Sequence, residues 1–119
     1  MKRSTMLLAV CGAVVVSAAT YYGVARRGLQ PADATRGRQV FDARCWVCHE
    51  TDNEGYRIGP GLQNYFQRSP HQQKNGSEHE HTDEFVREFI RNGSMNMPAQ
   101  KDFISRQELA DVMAYLKTL

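Results

Sequence analysis

The stretch from residue 50 to residue 81 constrains this chain more than any helix in it. It holds Gly55, Gly59, Pro60, Gly61, Pro70 and Gly76 with few apolar side chains between them, a composition that forbids long regular elements. On either side the letters turn helical. Asp33 is placed as the N-cap of a first helix running to about Arg44, with Val40, Phe41 and the Gly37 face as its apolar positions. Thr82, followed by Asp83 and Glu84, opens a second helix in which Phe85, Val86, Phe89 and Ile90 recur at helical spacing until Gly93 stops it. Ser105 with Glu108 reads as a capping box for the third, whose stripe is Leu109, Val112, Met113 and Leu116, widened by Tyr115 and Leu119. The fold class expected is all-α, with three main helices, long loops and few or no strands. A domain of roughly 90 residues, about thirty of them irregular, buries too little apolar surface to offset the ordering of its loops. Something other than side chains must fill its centre, and disulfides, metals or cofactors are the usual means.

Cys45-Trp46-Val47-Cys48-His49 supplies such a means. Two thiols three residues apart on one turn reach the two vinyl groups of a haem, and the imidazole that follows turns to the iron from the same side. Other chemistries use the same letters. A redox dithiol needs a strand-helix-strand context that no strand pattern here provides. A zinc site would have to recruit His49, His71, His79 or His81, since there is no second cysteine pair. A plain disulfide leaves His49 and the missing core without a purpose. A haem iron held by His49 has a second position to fill, and a thioether is one group that could fill it. Met1 and Met6 lie in the N-terminal leader and Met113 on a core stripe, which leaves Met95 and Met97, two residues apart in an extended segment and so facing the same way.

In order and spacing these residues resemble the class I c-type cytochromes over nearly all of residues 32–119. The matching elements are Gly37 and Phe41, CWVCH at 45–49, IGPGL at 58–62, Met97-Pro98, and the closing ELADVMAYLKTL. The resemblance implies the cytochrome c fold, in which the N- and C-terminal helices cross closely and one haem c fills a thin core. It implies covalent attachment through Cys45 and Cys48, with His49 and Met97 as the iron ligands. It also implies that the Pro60 carbonyl accepts a hydrogen bond from the other nitrogen of His49, fixing its tautomer and raising its basicity. Gly37, having no side chain, lets the last helix approach, and Phe41 one turn later is expected to meet Tyr115. Trp46 and Tyr65 are read as packing and propionate-edge residues. The segment His71 to His81, HQQKNGSEHEH, is so polar that a solvated loop is expected.

Before the domain, Met6 to Ala25 is an uncharged, mostly apolar run flanked by Lys2-Arg3 and Arg26-Arg27. As a helix it would span about 30 Å, one bilayer core. Because apolarity runs on past Ala18 and Tyr21-Tyr22 can sit at the interface, residues 1–25 are read as a single transmembrane anchor, the alternative being a secretory signal cleaved near Ala18, with 26–31 a linker to the haem domain at 32–119. Val10 is too large for the residue before a lipidated Cys11, and Arg26-Arg27 follows the apolar run rather than preceding it, so neither a lipoprotein nor a twin-arginine signal fits. Both remaining readings export the domain.

The four cations at Lys2, Arg3, Arg26 and Arg27 precede residue 32, where there is no acid, leaving 11 basic residues against 13 acids and a formal charge of about −2 on residues 32–119. A mildly acidic body speaks against nucleic acid as a partner. Saturated His/Met iron keeps substrates away, so the expected role is an electron carrier rather than an enzyme, on the periplasmic face of the cytoplasmic membrane. Its partners would be a dehydrogenase or quinol-oxidising complex on one side and an oxidase or reductase on the other. A fixed haem subunit of a larger oxidoreductase, a peroxidase and a gas sensor are the alternatives, the last two requiring open iron.

Overall fold

In the computed structural model, residues 28–73 and 76–119 are described. The apolar segment expected to be a signal or anchor helix lies outside the described residues, and among those described no helix is long and apolar enough to cross a membrane. Pro31–Leu119 forms one unit. Its elements are α1 (Ala34–Arg44), a 3-10 turn (Tyr65–Gln67), strands β1 (His71–Gln72) and β2 (Glu78–His79), α2 (Asp83–Asn92) and α3 (Arg106–Leu116).

Each helix begins where its cap dictates. Asp33 accepts from the Arg36 amide at 2.8 Å, and Thr82 from the Phe85 amide at 3.3 Å. Ser105 and Glu108 close a reciprocal capping box, with the Ser105 hydroxyl accepting at 3.2 Å and the Glu108 carboxylate at 2.7 Å. Gly93 ends α2 at a φ of +69°. The expected stripe of α3 is buried in full, Val112 and Met113 most deeply, and joins Phe41, Leu62, Val86 and Ile90 in one core.

The contact of α1 with α3 organises the rest. A Cβ on Gly37 would stand 1.9 Å from the Asp111 carbonyl oxygen, so only glycine permits the observed approach. Asp111, at 2% exposure, is a carboxylate set inside this contact. It is held by the Arg36 guanidinium at 2.8 and 2.9 Å, the Asp33 amide at 2.9 Å and the Gln107 side-chain amide at 3.1 Å. The Arg36 partner, with these added hydrogen bonds, holds the Asp111 carboxyl down to about 2. One buried charge therefore fixes the angle at which α1 enters the domain, because moving either helix would strand it.

The histidine-rich segment departs from the solvated loop expected of it. β1 and β2 pair antiparallel, His71 opposite His79 and Gln72 opposite Glu78, and His79 and His81 are buried. The cause is the outer face of α2. Phe85 and Phe89 stack 5.7 Å apart there, and the His79 ring stands edge-on to both at 4.8 and 5.3 Å, covering apolar surface that the core leaves open.

Candidate haem-attachment site

The site starts at the end of α1. The Cys45 and Trp46 amides both donate to the Phe41 carbonyl, at 2.7 and 3.1 Å, and the Cys48 and His49 amides both donate to the Cys45 carbonyl at 3.0 Å. This double turn keeps the two sulfurs and the imidazole within five residues of chain. Both cysteines are free and half-buried. Burial pushes the Cys45 thiol up to about 11, with Cys48 adding to the effect. A redox dithiol needs the opposite, an electropositive setting that favours thiolate. No group of three His, Cys, Asp or Glu among the described residues is arranged to hold a metal ion, so the zinc reading finds no ligand set here.

A strap from Tyr56 to Leu62 then returns over His49. The Gly59 amide donates to the Cys48 carbonyl at 2.8 Å and the Leu62 amide to the Glu50 carbonyl at 2.7 Å, which pins the strap at its middle and its end. Between these pins His49 Nδ1 donates to the Pro60 carbonyl oxygen at 2.9 Å. The bond fixes the proton on Nδ1 and leaves Nε2 as the lone pair available to a metal. Gly59 cradles the ring, since a Cβ there would lie 2.5 Å from His49 Cε1. Two free thiols three residues apart, one oriented imidazole and a strap with no side chain over the ring are a donor set that fits covalent haem.

The two candidate thioethers are separated by burial. Met97 is half-buried and packs against the core, while Met95 is 93% exposed. Ser94 holds the Met97 backbone from both sides, its amide donating to the Met97 carbonyl at 2.8 Å and its hydroxyl accepting from the Met97 amide at 3.3 Å. Trp46 is 52% exposed, with the Arg57 guanidinium 5.8 Å from its ring. Tyr65 does pack against the core, and its hydroxyl lies 2.5 Å from His79 Nε2.

Two residues near the strap carry no sequence signal. Asn53 runs so close beneath it that a Cβ on Gly61 would stand 2.3 Å from the Asn53 carbonyl oxygen. Arg68 donates from Nη2 to the Gly61 carbonyl at 2.8 Å and also to that of Gln63. Both are ordinary polar letters in a loop, and only long-range geometry gives them work.

A family model described as cytochrome c matches residues 34–119. A cytochrome c-553-like protein of Synechocystis sp. is 34% identical over 87 residues, covering 73% of this chain and 70% of the relative. A cytochrome c6-like protein of Nostoc sp. is 34% identical over 89 residues, covering 72% and 73%. Among solved structures, that of cytochrome c6 from the diatom Phaeodactylum tricornutum aligns with a TM-score of 0.53 at 26% identity, over 73% of this chain and 93% of that one.

Proposed function

This chain belongs to the cytochrome c family and is an electron carrier with one covalently bound haem c, and from that premise we propose which residues hold the haem and where it works. Cys45 and Cys48 would hold the haem covalently, and His49 Nε2 and the Met97 thioether would hold its iron. The haem provides reversible one-electron exchange. The chain's own residues do the rest. The Pro60 carbonyl keeps the His49 proton on Nδ1 and makes the imidazole a stronger donor. Leu62, the buried last residue of the strap, helps keep water from the site. A thioether as second ligand raises the potential relative to bis-histidine ligation and closes iron to exogenous substrates. The observation that carries this reading is the 2.9 Å bond from His49 Nδ1 to Pro60.

The haem domain, residues 32–119, works on the periplasmic face of the cytoplasmic membrane after export directed by residues 1–25, whose apolar run between basic flanks supports this. Its donors are a dehydrogenase or a quinol-oxidising complex, and its acceptors an oxidase or a reductase. The test is carbon monoxide added to the reduced protein. The visible spectrum stays unchanged if His49 and Met97 both hold iron, and formation of a carbonyl complex at neutral pH contradicts the proposed ligand pair.

A further inference from the structure

The three imidazoles of the hairpin form a triangle, with centroids 5.1 Å apart for His71 and His79, 5.4 Å for His71 and His81, and 5.2 Å for His79 and His81. His79 is buried, its ring stands edge-on to Phe85 and Phe89 of α2, and both its nitrogens are taken. Gln73 Nε2 donates to His79 Nδ1 at 2.7 Å. The Ser77 hydroxyl donates to Gln73 Oε1 at 3.3 Å, which sets the amide that way round. Nδ1 is therefore an acceptor, and the single proton of the neutral ring sits on Nε2, which donates to the Tyr65 hydroxyl at 2.5 Å. The closed hairpin specifies neutral His79.

A second proton has no place in this arrangement. It would land on Nδ1 and set one N–H against another, that of the Gln73 amide. To keep both partners, Gln73 would have to turn its amide over and give up Ser77, and the charge would still lie against two phenylalanine rings. The charged and titratable groups nearby do not compensate. β1 contributes His71, and the chain just after β2 contributes His81. The 3-10 turn contributes Tyr65, whose hydroxyl is pushed by burial up to about 12 and so stays neutral. Arg68 follows that turn, its guanidinium carbon 5.3 Å from the Tyr65 centroid. On α2, Asp83 pairs with Arg87 and Lys117, Glu88 pairs with Arg91, and Glu84 is exposed. Glu78 and Glu80, on either side of His79 in the chain, are both exposed, and Lys74 lies outside the described residues. Burial, with His81 and His71 nearby, accordingly lowers the proton affinity of His79.

We infer that the hairpin from His71 to His81 is an acid-opened latch, in which protonation of His79 frees β2 from Phe85 and Phe89 while α1 and α3 remain crossed. The inference stands apart from the assignment of the haem ligands. The closed hairpin binds fewer protons than the open one. Closure is therefore complete above the ordinary imidazole value of about 6.5 and weakens as pH falls below it. The helix crossing outlasts the latch, because Asp111 within it is held down to about 2. Opening uncovers the stacked rings of Phe85 and Phe89, so the domain answers acid with a local change before it unfolds.

The test is amide hydrogen exchange of the reduced, haem-loaded protein at about pH 7.5 and about pH 4.5, expressed as protection factors so that the intrinsic pH dependence of exchange drops out. The Gln73 amide, bonded to the Ser77 carbonyl at 2.8 Å, reports on the hairpin. Its protection falls at least about tenfold at the lower pH, while amides inside α1 and α3 keep theirs. H79F retains an apolar ring over α2 and has no proton to gain, so its hairpin stays protected at both pH values, whereas H71Q opens as wild type does. Unchanged protection in wild type, an equal loss in H79F, no opening in H71Q, or a matching loss in α1 and α3 overturns the inference. Should H79F fail to fold, nitrogen-15 imidazole spectra of the wild type decide. Opening follows the titration of His79, and opening that follows His71 or His81 instead overturns the latch.

Discussion

The Phe41 ring meets that of Tyr115 edge-on, centroids 5.5 Å apart and planes at 61°, one turn from the point where Gly37 lies against the Asp111 backbone. An aromatic pair and a glycine contact thus act on the same pair of helices, one by attraction and the other by absence of bulk. Replacing Gly37 by alanine should improve helix propensity by up to about 1 kcal/mol. The methyl group would nonetheless meet backbone that has nowhere to move, so a net loss of about 2 kcal/mol is expected. Urea unfolding of the haem-loaded protein measures it, and an unchanged midpoint would mean the helices cross elsewhere.

Asp111 carries a pH dependence whose sign is fixed. Its folded-state value, held down to about 2, lies below the ordinary carboxylate value of about 3.9. The contribution is therefore complete above about pH 4 and lost as pH falls towards 2. D111N should destabilise by about 2–3 kcal/mol at pH 7. The gap between variant and wild type should close between about pH 4 and pH 2. Unfolding free energies measured across that range check both the size and the direction.

Met97 and Met95 make a matched pair for testing the second iron ligand. M97A should give a haem that binds carbon monoxide when reduced and a potential shifted from wild type. M95A, removing a side chain that is 93% exposed, should leave the visible spectrum and the potential unchanged. The reverse pattern would assign the thioether to Met95.

Gly59 guards the orientation of His49. A Cβ there would press on the ring at 2.5 Å from Cε1, so G59A should weaken the Nδ1 bond to Pro60 and with it the histidine ligation. Faster solvent exchange of the His49 Nδ1 proton, together with a smaller low-spin fraction in the optical spectrum, is the expected result. Wild-type exchange would show that the strap yields instead.

The helices and the attachment turn were legible because their signals are local. Asp33, Thr82 and the Ser105–Glu108 box act within four residues, and CWVCH is complete in five, so neither needs knowledge of the rest of the chain. The meeting of Phe41 with Tyr115 was also foreseen, because the family resemblance supplied the helix crossing and Gly37 marked its position. The hairpin was not legible. HQQKNGSEHEH has no apolar period, and His79 stands against Phe85 and Phe89, which come later in the chain on α2. Asp111 was equally silent, since a carboxylate on an amphipathic helix looks like part of a solvated face until Arg36, 75 residues away, closes on it. Burial of a polar group depends on distant donors, and distance along the chain is what a local reading lacks.

The central claim is that Cys45 and Cys48 are bonded to a porphyrin that occupies the middle of this small domain. Intact mass of protein made in a host able to attach haem c, measured before and after extraction with acidified organic solvent, tests it most directly. The account predicts the mass of the chain plus one haem in both samples, with neither cysteine open to alkylation. A folded protein at the bare chain mass, with both thiols alkylated, would contradict it.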